Sequence, residues 1–172
     1  RLPKPLKIGG RRISDHKYFG PRLTVQEVIV KSSNIGTVRI ANKVGSEKLK
    51  KFYSRLGLLD KTSLELPETK LIMPQYPKKW KSLETATASY GHGIAVSPIH
   101  LAMAYATLVN GGYKVTPTLL KNSSLYTDRE QVISNETSSL VRYLLGQVVI
   151  KGTAKDSNFG GYNVGGKTGT AE

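Results

Sequence analysis

The sequence predicts an α/β chain of the α+β type, in which helices dominate and one strand lies near the carboxyl end. Three observations support this fold class. Helix-cap residues precede several segments with helical apolar spacing, apolar pairs repeat every four residues over 140–149, and the strongest strand pattern covers 162–170. With 172 residues, of which 38% are hydrophobic, the chain can form one domain with its own core.

Three helices are predicted in the first third of the chain. A capping box over 24–27, T-V-Q-E, starts a helix that runs to about Lys31. The second helix is expected over 34–44, and Ser46 is expected to cap a third with apolar side chains at i, i+3, i+4 and i+7. These helices should pack as one layer and place residues 32–34 on the connection between the first two.

The middle of the chain contains one break and two further helices. Prolines interrupt regular structure over 60–81, so an extended connection with one short strand near 64–66 is expected there. Serine and proline at 97–98 start a helix that the glycines at 111–112 stop. The repeated apolar pairs predict a long amphipathic helix over about 134–150.

The net charge of +14 at pH 7 raises the question of nucleic-acid binding, since a pI near 10 is common among proteins that bind it. The lysines are scattered, and no zinc-finger spacing, aromatic-interleaved sheet motif or basic recognition helix accompanies them. The pattern therefore predicts a lysine-rich solvated surface and no nucleic-acid partner. A basic adaptor that binds an anionic polymer without chemistry remains one alternative function.

Metal, disulfide and membrane chemistry find little support in the sequence. The chain has no cysteine, and His92 and His100 stand eight apart without any paired carboxylate pattern. We therefore predict no metal site and no cofactor. The longest apolar stretch, near 101–109, falls well short of the roughly 20 residues that a membrane span requires. A membrane anchor is expected only in a segment that would precede Arg1.

Two motifs overlap near the carboxyl end. Residues 161–168, G-Y-N-V-G-G-K-T, match the phosphate-binding P-loop letter for letter, but a P-loop needs a following helix and a later acidic magnesium ligand. We expect neither in the residues that follow, although a nucleotide binder remains a second alternative. Lys167-Thr168-Gly169 is also the K-T-G triplet of penicillin-binding serine acyl-transferases, and Ser32-Ser33-Asn34 supplies their S-x-N triplet in the expected order.

The sequence between these triplets resembles that of class B penicillin-binding proteins, from about residue 13 to residue 172. The segments that support the resemblance are A-S-Y-G-H-G-I-A-V-S-P at 88–98 and K-G-T-A at 151–154, besides the two triplets. The wording S-Y-G-H-G is more similar to the septal, division-specific D,D-transpeptidases than to the elongation type. The resemblance implies a penicillin-binding transpeptidase or serine β-lactamase-like fold, present here as a truncated, helix-dominated part with the K-T-G strand.

The third motif of this family, S-x-x-K, bears the nucleophilic serine. Only Ser14-Asp15-His16-Lys17 has that spelling, and the chemistry needs the serine and lysine one turn apart on a helix. Because Gly20-Pro21 stops any such helix after one turn, we expect Ser14 to be an exposed loop residue and the nucleophile to be absent from this chain. The resemblance thus predicts a partial transpeptidase domain over 1–172, without the S-x-x-K segment and the C-terminal strands.

The resemblance implies two catalytic residues. Ser32 would belong to a hydroxyl relay that passes a proton between the active-site lysines and the leaving amine. Lys167 would supply a fixed positive charge near that hydroxyl. We therefore expect the two side chains to meet within hydrogen-bond reach, about 2.6 to 3.2 Å, or through one water.

Four residues would bind the substrate if the resemblance holds. Asn34 would hold the substrate amide, and Thr168 its carboxylate. Gly169 has no side chain, so it would leave the backbone accessible for pairing with the substrate. The amide of Thr170 would complete the oxyanion hole with the absent serine. Ser32 and Asn34 also have an ordinary explanation as residues at a helix junction.

The function implied for the parent is that of a peptidoglycan D,D-transpeptidase, which cross-links stem peptides during septal cell-wall synthesis. Its absent serine would react with stem peptides ending in D-Ala-D-Ala, and β-lactam antibiotics would acylate the same serine. Other division proteins are further candidate partners. The expected location is the periplasmic face of the bacterial inner membrane. This chain alone is expected to be inactive.

Overall fold

Helices make up most of the regular structure, which a computed structural model describes for residues 5–71, 73–121 and 130–169. A single hairpin precedes them within these residues. The elements in chain order are β1 Leu6–Ile8, β2 Arg11–Ile13, α1 Val25–Val30, α2 Asn34–Val44, α3 Ser46–Arg55, a 3-10 turn Pro67–Lys70, α4 Ser82–Ser89, α5 Pro98–Val109, α6 Asn135–Lys151 and a 3-10 turn Lys155–Ser157.

The hairpin of β1 and β2 was not among the sequence predictions. The strands are antiparallel, with Leu6 opposite Ile13, and Gly9 and Gly10 turn between them with φ of 53° and 79°. Only glycine adopts two such backbone angles in a row without steric cost. Gly-Gly between two short runs that contain isoleucine is a hairpin signal, so the sequence did contain this information. The hairpin packs on α4 through the buried Ile13.

The first three helices lie where the sequence predicts them. Thr24 Oγ1 accepts from the Glu27 amide at 3.2 Å and Glu27 Oε2 accepts from the Thr24 amide at 2.9 Å, which completes the capping box of α1. The prediction that Ser46 caps α3 is wrong. Gly45, with a φ of 90°, both ends α2 and precedes α3, so Ser46 is already the first helical residue.

Helices α5 and α6 agree with their predicted positions, whereas α4 was missed. The short strand predicted near 64–66 is also wrong. The Leu66 amide donates to the Leu64 carbonyl at 2.8 Å, so the backbone bonds to itself locally instead of to a neighbouring strand. No helix in the described part of the chain has the length and apolar character to cross a membrane.

The strand predicted over 162–170 is not formed in its described part, 162–169. A strand exists only through backbone pairing with a neighbour, and these residues pair with no strand among the described ones. The Gly166 amide instead donates to the Leu145 carbonyl at 3.2 Å. The K-T-G segment therefore lies across α6, which itself packs against α1. This arrangement brings the segment close to the connection between α1 and α2.

Candidate active site

Lys167 and Ser32 meet although 135 residues separate them. The Lys167 Nζ donates to the Ser32 Oγ at 2.7 Å, to the Thr168 carbonyl at 3.0 Å and to the Thr168 Oγ1 at 3.4 Å. The first distance falls within the range expected from the sequence. Burial of the Lys167 side chain lowers the pKa of its amine from the ordinary value of 10.5. The amine is therefore placed among neutral oxygens, beside a hydroxyl, and is easier to deprotonate than a surface lysine.

Ser32 stands in a backbone conformation that serine rarely adopts. Its φ is 55°, in the left-handed region, and among the described residues no other non-glycine residue has a positive φ. The Ser33 amide donates to the Val28 carbonyl at 2.9 Å and the Ser32 amide to the Ile29 carbonyl at 3.2 Å. These two bonds form a Schellman motif at the end of α1, with Ser32 in the place where glycine is usual.

A serine in that place has a cost that a glycine would avoid, on the order of 1 to 3 kcal/mol. Strain of this kind persists where the surroundings fix it, and it often marks a functional position. Here the Schellman turn fixes the backbone, and the hydroxyl that glycine would lack is the group that Lys167 contacts. The backbone of Ser32 thus favours a functional reason for this residue over the ordinary capping explanation.

The other two residues of the S-x-N triplet begin α2. Ser33 is 1% exposed and is the N-cap, since its Oγ accepts from the Gly36 amide at 2.9 Å. Asn34 is the first helical residue, and its Nδ2 donates to the Ser14 carbonyl at 3.3 Å. The turn therefore places Ser32 just after α1 and Asn34 at the start of α2.

Ser14 is exposed and lies in the loop after β2, outside any helix. The Nζ of Lys17 lies 5.8 Å from the centroid of the Phe19 ring, in a cation–π contact. Ser14 and Lys17 are therefore not arranged as a nucleophile and its base, because those two groups would have to stand one helical turn apart.

The turn after α6 contacts the K-T-G triplet and the end of α1. The Thr153 and Thr168 hydroxyls are 2.7 Å apart. A Cβ on Gly152 would lie 2.5 Å from the Val30 carbonyl oxygen, so the two backbones touch directly at the end of α1. Reasoning from the sequence assigned no role to Thr153. Its segment, K-G-T-A, was noticed only as part of a resemblance, and nothing local indicates that it reaches the K-T-G residues.

Gly169 and Thr170 complete the predicted set. Gly169 is exposed, and a Cβ added there would meet nothing within 4 Å, so space beside its backbone is open. Thr170 lies outside the described residues. Within the described ranges, no group of three or more histidine, cysteine, aspartate or glutamate side chains could hold a metal ion.

Comparison with known proteins places this geometry in context. The family described as penicillin binding protein transpeptidase domain matches residues 3–172. The probable peptidoglycan D,D-transpeptidase FtsI of Caulobacter vibrioides is 35% identical over 98% of this chain, and stage V sporulation protein D of Bacillus subtilis is 36% identical over 96%. A crystal structure of a peptidoglycan glycosyltransferase from Burkholderia ambifaria superposes with a TM-score of 0.89, at 35% identity over 98% of this chain.

The same comparisons fix how much of these proteins the chain represents. It spans 29% of the Caulobacter protein, 28% of the Bacillus protein and 54% of the Burkholderia chain. The family match includes both triplets, since it extends over 32–34 and 167–169.

Proposed function

This chain belongs to the penicillin-binding protein transpeptidase family, and we propose that its S-x-N and K-T-G triplets form part of the active site of a peptidoglycan D,D-transpeptidase. The family and fold class that the sequence predicted are confirmed. The proposal includes a domain that is partial over 1–172. The S-x-x-K segment with the nucleophilic serine, and further strands beside K-T-G, then belong to other parts of the parent protein.

The observation that carries this proposal is the hydrogen bond of 2.7 Å between Lys167 and Ser32. A relay needs a proton donor and acceptor in direct contact, and a hydroxyl bonded to a lysine of lowered pKa satisfies that need. The left-handed backbone of Ser32 supports the same role, because glycine would serve better in that turn if the hydroxyl had no task.

In the proposed reaction, the serine of the parent attacks the carbonyl carbon of the penultimate D-Ala of a stem peptide. The bond to the terminal D-Ala breaks, and the proton of the serine leaves with the amine of that residue. An amine of a neighbouring stem peptide then attacks the acyl-serine ester, which forms the cross-link and returns a proton to the serine. Ser32 and Lys167 relay that proton in both steps.

The remaining residues act on the substrate in this proposal. Asn34 holds the substrate amide, and the Thr168 hydroxyl binds the carboxylate. The open backbone of Gly169 lets the substrate approach, and the amide of Thr170 completes the oxyanion hole. A β-lactam would enter the same site and acylate the same serine, since it carries an equivalent acyl group and carboxylate.

A role in septal synthesis, at the periplasmic face of the inner membrane and with other division proteins as partners, is the finer part of the proposal. The name of the Caulobacter relative supports the transpeptidase activity, whereas the Bacillus relative is named for sporulation. Depletion of the parent protein should therefore give cells that elongate without dividing. Cells that divide normally but lose rod shape or fail in sporulation would contradict the septal assignment.

The proposed site is tested by acylation of the full-length parent with a fluorescent penicillin. Ser32→Ala and Lys167→Met should each slow acylation by about 10²- to 10⁴-fold, the range for loss of a positioned proton-transfer group. The matched control Lys48→Met removes an exposed lysine on α3 and should change the rate by no more than about two-fold. Wild-type rates in both site variants would exclude the relay.

The same variants address the two alternatives. A P-loop would use Lys167 to hold a phosphate, so Lys167→Met would abolish nucleotide binding and leave penicillin acylation intact. The engagement of the Lys167 amine by Ser32 and Thr168 speaks against that use. A basic adaptor would bind anionic polymers equally well with either lysine replaced, because only the total charge would matter.

A further inference from the structure

The loop between β2 and α1 forms hydrogen bonds to the S-x-N turn. We propose that Asp15 is a positioning residue for this turn, which fixes Ser32 and Asn34 through the residues beside them and so sets the rate of the acyl transfer. This inference rests on the proposed function of the site. It gives a role to part of Ser14-Asp15-His16-Lys17, the S-x-x-K spelling that does not serve as a nucleophile motif.

The Asp15 carboxylate bonds on both of its oxygens to the start of α2. Oδ2 accepts from the Ser33 Oγ at 2.8 Å, and Oδ1 accepts from the Ile35 amide at 3.0 Å. The neighbouring Ser14 carbonyl accepts from the Asn34 side chain at 3.3 Å. Residues 14 and 15 thus hold three consecutive residues of the turn, 33 to 35. Each bond to the carboxylate is charge-assisted, and both lie at the positive end of an eleven-residue helix.

Ser33 connects these hydrogen bonds to Ser32, the residue of the turn that contacts Lys167. Its hydroxyl donates to Asp15 and accepts from the Gly36 amide, so its orientation is fixed on two sides. Ser33 is joined directly to Ser32, whose strained φ of 55° requires surroundings that prevent relaxation. Without Asp15, one side of that restraint is missing, and the Ser32 hydroxyl is free to move away from Lys167.

The positioning role requires the geometry of the two bonds, and the charge of the carboxylate strengthens them. An asparagine at position 15 can still accept from the Ile35 amide, and its NH₂ can donate to the free lone pair of the Ser33 hydroxyl, although the proton of that hydroxyl then loses its acceptor. A glutamate keeps the charge, but its extra methylene places the carboxylate differently. Positioning therefore predicts a rate order in which Asp15→Asn exceeds Asp15→Glu and Asp15→Ala.

The experiment uses the full-length parent and measures the acylation rate constant at saturating fluorescent penicillin, the concentration for half-maximal rate and the melting temperature. Asp15→Ala should lower the saturating rate about 10- to 100-fold with little change in the half-maximal concentration, since displacement of about 1 Å can cost that much. Asp15→Asn should recover part of the rate, and Asp15→Glu little of it.

The matched control is Ser134→Ala, which removes the N-cap of α6, a helix cap that does not touch the triplets. It should lower the melting temperature comparably and leave the acylation rate near that of the wild type. A wild-type rate in Asp15→Ala, an equal loss of rate in Ser134→Ala, or a faster Asp15→Glu than Asp15→Asn would each overturn the inference. In all three cases, a loss of rate in Ser32→Ala would still support the proposed function. A wild-type rate in Ser32→Ala would contradict the proposed function itself.

Discussion

At the scale of single residues, the site depends on how one lysine amine is surrounded. The Lys167 Nζ has a hydroxyl at 2.7 Å and a carbonyl at 3.0 Å, and burial of the side chain disfavours its charged form. A surface lysine of the same chain lacks that environment. The local chemistry of K-T-G therefore depends on the position of the segment in the fold as much as on its amino-acid sequence.

The lowered pKa of Lys167 predicts a pH dependence of stability. Below its lowered pKa the amine is charged in both folded and unfolded chains, and the folded chain bears the cost of desolvating that charge. The cost disappears as pH rises through the lowered pKa towards the unfolded value of 10.5. The free energy of unfolding of the parent should therefore rise relative to Lys167→Met over that window.

Urea unfolding of both proteins from about pH 8 to pH 10.5 measures this difference. Other lysines and tyrosines titrate in the same range, so only the difference between the two curves is informative. The exposed Lys48→Met should give a curve parallel to that of the wild type. Parallel curves for Lys167→Met as well would mean that the folded environment does not shift this amine.

A second prediction at this scale concerns Thr153. Its hydroxyl lies 2.7 Å from that of Thr168, so it can donate to Thr168 and leave the Thr168 proton for a substrate carboxylate. Thr153→Val keeps the shape and removes that donor. The half-maximal concentration of a β-lactam in acylation should rise by about 2- to 10-fold, the equivalent of one ordinary hydrogen bond, with little change in the saturating rate.

Thr153→Ser is the matched control for this prediction, because it keeps the hydroxyl and loses only a methyl group. It should behave nearly as the wild type does. If valine and serine raise the half-maximal concentration equally, packing of the methyl group matters there and the hydroxyl contact does not.

At the scale of elements, the site depends on the contact between the end of α6 and the end of α1. Gly152 is the C-cap residue of α6, and its backbone lies against the Val30 carbonyl, two residues before Ser32. The φ of Gly152 is −105°, which other residues also adopt. Close approach of the two helices, and not an unusual backbone angle, is thus the reason for a glycine in this position.

Gly152→Ala should therefore act by steric conflict alone. Its Cβ would lie 2.5 Å from the Val30 oxygen and 2.7 Å from the Val148 oxygen, and neither backbone atom can rotate away. We expect the free energy of unfolding of the parent to fall by about 1 to 3 kcal/mol, with slower penicillin acylation because α1 and Ser32 are displaced. Thermal unfolding and acylation kinetics measure the two effects.

Gly146→Ala is the matched control within the same helix. A Cβ there meets nothing within 4 Å, and alanine is the better helix former by about 1 kcal/mol. This variant should be as stable as the wild type or more stable. Equal effects of the two substitutions would show that α6 tolerates no added methyl group anywhere, and that the contact with Val30 is not special.

At the scale of the whole molecule, the chain contains two triplets of the proposed site, and Ser14-Asp15-His16-Lys17 has only the spelling of the third. Ser14 is exposed and outside any helix, and Lys17 contacts an aromatic ring instead of that serine. The 172-residue chain, expressed alone, should therefore form no covalent adduct with a β-lactam, because covalent catalysis leaves no substitute for an activated nucleophile.

Intact-protein mass spectrometry after incubation with a β-lactam detects such an adduct, on this chain and on Ser14→Ala. Circular dichroism on the same samples confirms that the chain is folded during the incubation. An adduct on the unchanged chain that is absent from Ser14→Ala would identify Ser14 as the nucleophile after all.

The sequence by itself determined those parts of the molecule whose cause is local. The cap before α1, the proline that starts α5, the apolar pairs of α6 and the apolar spacing within α3 act over a few residues, and these helices formed where they were predicted. The two triplets were found by spelling alone, and together with the segments at 88–98 and 151–154 they indicated the family. The hairpin at Gly9 and Gly10 was equally local, and was missed only because its pattern is short.

The tertiary structure alone decided the features that join distant segments. Asp15 reaches the turn at 33 to 35 from another loop, and no local pattern predicts this contact. The contact of Ser32 with Lys167 across 135 residues has no local signal either, and it was expected only from the family resemblance. The backbone of 162–169 is the opposite case, because the sequence predicted a strand there that did not form. Its residues favour a strand, but a strand requires a paired neighbour, and the Gly166 amide of this segment donates instead to the Leu145 carbonyl of α6. Local propensity selects helices and turns, whereas burial and pairing decide which of them form a site.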